Sequence, residues 1–197
     1  MTLQLGFLAS GNGSSAEAIV DAIAAGRLDA EARLLVSNKK NCPAFEWATA
    51  KGVATLAIPT ISDPEAADAA LADAMAAQGV ELIVMSGYLR RLGPKTLTRY
   101  AGRIVNIHPG PLPGFGGEGM YGARVHRAVI AAGVAESAIV IHVVDEVYDH
   151  GPEVDRRVVP LQSGETAETL EARVKGLEPA FFVETLQRLA TGALSLP

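Results

Sequence analysis

Asn106 and His108 stand two residues apart at the end of an apolar run, Arg103-Ile104-Val105, in the stretch RIVNIHPGPLPGFGGEGMYG. In an extended chain, residues i and i+2 share a face, so a carboxamide and an imidazole are delivered side by side. The amide can donate to an oxygen that gains negative charge, and the imidazole can exchange a proton near neutral pH. Downstream, IHVVDEVYDHGPEV holds Asp145 and Asp149 in a loop ending in Gly151-Pro152. A carboxylate brought near His108 would orient the ring and favour its charged form. Amide, imidazole and carboxylate together suit acyl transfer through an oxyanion, with no covalent intermediate on the protein. The plainer reading is a hydrogen-bonded structural histidine beside a turn rich in Asp and Gly. On that view His142 is simply packed in a strand and His150 is solvated.

Other chemistries find less support. ASGNGSS is not the G-x-S-x-G of a nucleophile elbow, and no His/Asp/Glu spacing resembles a metal site. Cys42 is the sole cysteine, which leaves no intramolecular disulfide and no Cys-based zinc site. The net charge is −5 with no Lys/Arg run, which argues against a nucleic-acid or anionic-membrane surface. The opening apolar stretch is too short for a membrane span and lacks a basic leader, so it reads as a buried strand. These features together point to the cytoplasm.

Two more stretches could bind a ligand. In ASGNGSSAEAI, a strand ends and Gly11-Asn12-Gly13-Ser14-Ser15 leads into a helix. Glycines there let the backbone approach a ligand, and helix N-terminal N–H groups favour an anion. Ala16 stands where a dinucleotide fingerprint needs its third glycine, and no Gly-Lys-Ser/Thr follows. A tight turn with a Ser cap is the competing account. In SGYLRRLGP, Gly87 could turn backbone groups toward a ligand, while Tyr88, Leu89 and Leu92 wall an apolar slot. The competing account is an ordinary turn with two solvated arginines, Arg90 and Arg91.

Strands are predicted at 3–9, 30–37, 53–58, 81–86, 103–108, 138–144 and 154–160. Helices are predicted at 15–26, 43–51, 63–78, 93–100, 122–132 and 165–191. Continuous apolar strands alternating with amphipathic helices imply an α/β fold, a Rossmann-like, doubly wound, mostly parallel sheet. The last two strands follow without a long helix between them and should pair antiparallel at one edge. Asp63-Pro64-Glu65 is a helix start, with a cap, a proline and an acid in order. The 197 residues suit one domain, 1–197, with 49% hydrophobic residues to fill its core. Such a sheet binds ligands outside its carboxyl edge. The places to look are 9–15, 86–92, 106–122 and 145–152.

Taken together, SGNGSS, VSNKK, SGYLRRL, YAGRIVNIHPGPLP and HVVDEVYDHGPEV resemble the folate-dependent glycinamide ribonucleotide formyltransferases of purine biosynthesis, over nearly the whole chain. The resemblance implies transfer of the formyl group of 10-formyltetrahydrofolate to the amine of 5'-phosphoribosylglycinamide. The catalytic positions it implies are Asn106, His108 and Asp149. The substrate positions are the phosphate loop with Gly11, Asn12, Gly13, Ser14 and Ser15, then Gly87, Tyr88, Leu89 and a ribose-binding Glu178. The pterin would meet Arg90, Arg91, Leu92, Val144, Asp145 and Asp149. It also implies a cis bond at Leu112-Pro113, small-molecule partners only, no metal, and a monomer or homodimer. Better-known members carry Asn where Ser15 stands and SLLP where this chain has GPLP. They also lack the Gly-rich GFGGEGMYG, and their one retained histidine in that region falls on His126. Related hydrolases carry an extra N-terminal domain, and the tRNA enzyme an extra C-terminal one. The ribonucleotide transferase is therefore favoured over both, while an inert nucleotide-binding module would give Asn106 and His108 no role.

Overall fold

The computed structural model describes residues 2–197. Its strands are β1 (Leu3–Leu8), β2 (Ala30–Ser37), β3 (Ala54–Ala57), β4 (Leu82–Met85), β5 (Ile104–His108), β6 (Glu136–Val143) and β7 (Glu153–Pro160). Its helices are α1 (Ser14–Ala24), α2 (Ala44–Ala50), α3 (Pro64–Ala77), α4 (Pro94–Arg99), α5 (Ala123–Ala131) and α6 (Ala167–Ala190). Each predicted element is found. Most boundaries move inward by a residue or two, where turns take over, while α1, β6 and β7 begin one or two residues earlier than predicted.

The strands form one sheet in the order β3-β2-β1-β4-β5-β6-β7. The first five run parallel, and β7 pairs antiparallel with β6 as expected. The β5–β6 pair is also antiparallel, although a helix lies between them. The loop after β5 and α5 together begin and end at the same end of the sheet. Helical periodicity alone cannot distinguish that path from a crossover.

Two apolar layers cover the sheet. On one face Leu5, Phe7, Val84, Val105 and Ile141 pack with Ile19, Val125, Leu170 and Phe182. On the other, Leu8, Val36, Ile83, Met85 and Ile104 pack with Leu71, Met75 and Tyr100. Alternation along β5 puts Asn106 and His108 on the second face, at its carboxyl end. Asp63 caps α3 by accepting from the Ala66 N–H at 2.9 Å, with Pro64 at the first helical position. Thr166 and Thr169 form a reciprocal cap on α6, which continues through Pro179. The Leu112-Pro113 bond is cis.

Sheet order reverses between β1 and β4, so the loops following those strands flank the switch point where such sheets bind ligands. Ser10 N–H donates to the Gly87 carbonyl at 3.2 Å, and Leu89 N–H donates to Ser10 Oγ at 2.9 Å. Ser86 Oγ accepts from Ala16 N–H at 3.2 Å. These bonds hold the two loops as one piece.

Candidate active site

β5 ends in Asn106 and His108, the second fully buried. The β6–β7 hairpin loop brings Asp149 back to them: its Oδ2 lies 3.4 Å from His108 Nδ1. The loop closes tightly because Val143 N–H donates to the Pro152 carbonyl at 2.8 Å. A Cβ on Gly151 would sit 1.9 Å from the Val143 carbonyl oxygen, so only glycine fits there. Asp149 itself has φ 54°, a left-handed conformation rare for a non-glycine residue. Asp145, the competing carboxylate, is engaged elsewhere. It accepts from Val147 N–H at 2.8 Å and faces His150 Nδ1 at 3.2 Å. His150 is thus exposed but paired.

The Gly-rich segment takes part directly. The Phe115 carbonyl lies 2.8 Å from His108 Nε2, and Gly117 N–H donates to Asp149 Oδ2 at 3.1 Å. The carbonyl only accepts, so Nε2 carries a proton and Nδ1 is turned toward Asp149. Glycine at position 116 leaves room for this approach, since a Cβ there would lie 2.3 Å from Leu112 Cδ2 and 2.9 Å from Asp149 Cβ.

Burial pushes the His108 pKa below the ordinary histidine value, and the attractions of Asp149 and the Phe115 carbonyl do not overcome it. The expectation that Asp149 keeps the resting His108 charged is therefore corrected: desolvation outweighs the carboxylate. Burial also works to raise the Asp149 pKa. Hydrogen bonding around it, the Gly117 N–H included, outweighs that effect and holds the carboxyl below its usual range.

His142 is buried in β6, as a packed strand residue would be. The β5–β6 register also sets it directly opposite Asn106. Its Nε2 lies 3.3 Å from Asn106 Nδ2 and 3.5 Å from Asp149 Oδ1. The signal that could have found it is its alternation with Ile141 and Val143, but that signal names a face and not a partner.

Asn106, His142 and Asp149 line a narrow cleft with Met85, Arg90, Arg91, Leu92, Val144 and Asp145. All six positions proposed for the pterin therefore meet at one cleft. Arg91 closes over it, donating to the Glu146 carbonyl at 2.5 Å with its guanidinium 5.9 Å from the Tyr148 ring. A groove of about 520 Å³ adjoins it, sharing Arg90, Arg91, Leu92 and Tyr148 and adding Tyr88 and Leu89. Tyr88 is buried in the groove wall, and that burial pushes its hydroxyl up to about 12. Leu89 is exposed.

At the other loop, Gly13 takes φ 64° immediately before α1. Ala16 N–H is bonded to Ser86 and Glu17 N–H to the Gly13 carbonyl. The N–H groups of Ser14 and Ser15 have no protein partner among the described residues. Ser14 is exposed and Ser15 buried, with Asn12 exposed and Gly11 half-buried before them. Trp47 braces the loop by donating to the Asn12 carbonyl at 2.8 Å. Glu178 lies on α6, which packs along α1, and burial raises its carboxyl to about 7. His126 is buried on α5.

The formyl transferase family profile matches residues 3–186. The chain is 36% identical over 183 residues to the phosphoribosylglycinamide formyltransferase of Bacillus subtilis, covering 92% of this chain and 91% of that one. It is 37% identical over 188 residues to the chloroplastic phosphoribosylglycinamide formyltransferase of Vigna unguiculata, covering 94% of this chain but only 60% of that protein's length. Among solved structures, glycinamide ribonucleotide transformylase 1 from Symbiobacterium toebii superposes with a TM-score of 0.88 at 30% identity, covering 100% of this chain and 91% of that one.

Proposed function

The chain belongs to the formyl transferase family, and from that premise we propose that it transfers a formyl group from 10-formyltetrahydrofolate to the amine of 5'-phosphoribosylglycinamide, as a single cytoplasmic domain acting on small molecules. The observation that carries the reading is the meeting of Asn106, His108 and Asp149 at the end of a cleft built from the β4 and β6 loops.

The cleft, about 50 Å³ with Arg91 lying across it, has the polarity that a pterin donor needs. Met85, Leu92 and Val144 supply apolar walls, and Asp145 and Asp149 supply acceptors at its rim. The adjoining groove, rimmed by Arg90 and Arg91, suits an acidic tail. The donor supplies the activated formyl carbon. Ser14 and Ser15 N–H groups at the start of α1 take the ribonucleotide phosphate, and Glu178 takes its ribose.

The chain's own groups then divide the work. Asn106 donates from its amide to the formyl oxygen as that oxygen becomes negative. The amine loses one proton and the leaving folate nitrogen gains one, so the reaction needs a carrier and no net acid. Asp149, ionised and held by Gly117, is that carrier. Charge developing beside His108 opposes its burial penalty and favours the protonated ring during the transfer.

The test is a spectrophotometric assay with a 10-formylfolate donor, run with and without the ribonucleotide. Folate release that depends on the ribonucleotide supports the transferase. Release without it indicates a hydrolase, and no release in either case overturns both.

A further inference from the structure

We propose that His142 is a positioning residue that fixes which way the Asn106 amide points; this rests on the formyl-transfer reading. The two residues are directly opposed on β5 and β6 and share the face that bears the cleft. His142 Nδ1 lies 2.9 Å from the carbonyl oxygen of Val143. A carbonyl can only accept, so Nδ1 carries the hydrogen, and Nε2 of the neutral ring is left as a bare acceptor.

The group in hydrogen-bonding range of that acceptor is Asn106 Nδ2, at 3.3 Å, while the Asp149 oxygen lies further off at 3.5 Å. One amide N–H is thereby spent on His142 and the second remains for the cleft. A terminal carboxamide has two nearly equivalent orientations about its last torsion. Flipped, Asn106 would exchange its amino group for its oxygen and lose the bond to His142. The Val143 carbonyl thus sets the tautomer of His142, and His142 sets the polarity of Asn106.

Two measurements test this. The first uses the unmodified protein: ¹⁵N chemical shifts of His142 at pH 7.5 should show a protonated Nδ1 and a bare Nε2. A proton on Nε2 overturns the proposal whatever the protein's reaction. The second is a double-mutant cycle on ribonucleotide-dependent formyl transfer. His142→Leu should lower kcat roughly 10- to 100-fold, with both KM values within about twofold. His142→Gln, which returns an acceptor near the Nε2 position, should recover most of that loss. In an Asn106→Ala background, His142→Leu should cost less than about twofold. Additive losses, or equal losses for Leu and Gln, would show that His142 acts independently of Asn106. If His142→Leu does not fold, His142→Gln and the tautomer measurement still decide. Absence of any formyl transfer would sink the parent reading and leave the tautomer result standing.

Discussion

Asp149 Oδ2 lies 3.4 Å from His108 Nδ1, yet the buried imidazole still titrates below its ordinary range. The carboxylate raises the His108 pKa but is outweighed by burial. Replacing Asp149 with Asn removes the upward pull, so the His108 pKa should fall further. NMR titration of the His108 ring in both proteins measures the difference directly, and an unchanged or higher value in the variant would contradict it. Formyl transfer should fall in the same variant, because the carrier of the amine proton is gone.

Asn106 donates to an oxygen whose charge exists only during the reaction. Asn106→Ala should therefore lower kcat roughly 100- to 1,000-fold, with little change in ribonucleotide KM. Steady-state kinetics separates the two constants. A rise in KM alone would make Asn106 a binding residue.

The absent side chain of Gly151 is a precondition for the site. A Cβ there would meet the Val143 carbonyl at 1.9 Å, and backbone cannot yield as a flexible side chain does. Gly151→Ala should displace the loop carrying Asp149 and abolish most activity while β1 to β5 remain intact. Amide hydrogen exchange should show lost protection confined to residues near the β6–β7 turn. Full activity in this variant would mean that the loop tolerates the shift.

Glu178 makes stability depend on pH. Its carboxyl titrates near 7 when folded, against 4.5 in the unfolded chain. Between those values the folded protein keeps a proton that the unfolded chain has lost, so stability falls as pH rises through the window. Glu178→Gln removes the effect. The Tm of the variant minus that of the parent should grow from pH 4.5 to about 7 and then level, as thermal unfolding at several pH values would show. A flat difference would place Glu178 in solvent.

Much of this protein was legible in the order of its residues. Apolar runs alternating with Ala-rich helices specify a sheet covered on both faces, because a strand buried twice must be apolar throughout. The two-residue spacing of Asn106 and His108 puts both on one side of β5 by pleat geometry alone. Gly and Pro after them, and the Asp-His-Gly run at 149–151, mark backbone that must turn sharply.

Tertiary structure decided the rest. Periodicity gives a strand its faces but not its neighbour, so the antiparallel β5–β6 pairing, and with it the Asn106–His142 contact, was not readable. Residue type alone does not separate the two aspartates of that loop; its closure sends Asp149 to His108 and leaves Asp145 with His150. The tie of Phe115 and Gly117 to His108 and Asp149 is likewise a matter of a folded loop. Charge state follows the same rule: the sequence supplies the imidazole, and only burial in the packed fold sets how readily it holds a proton.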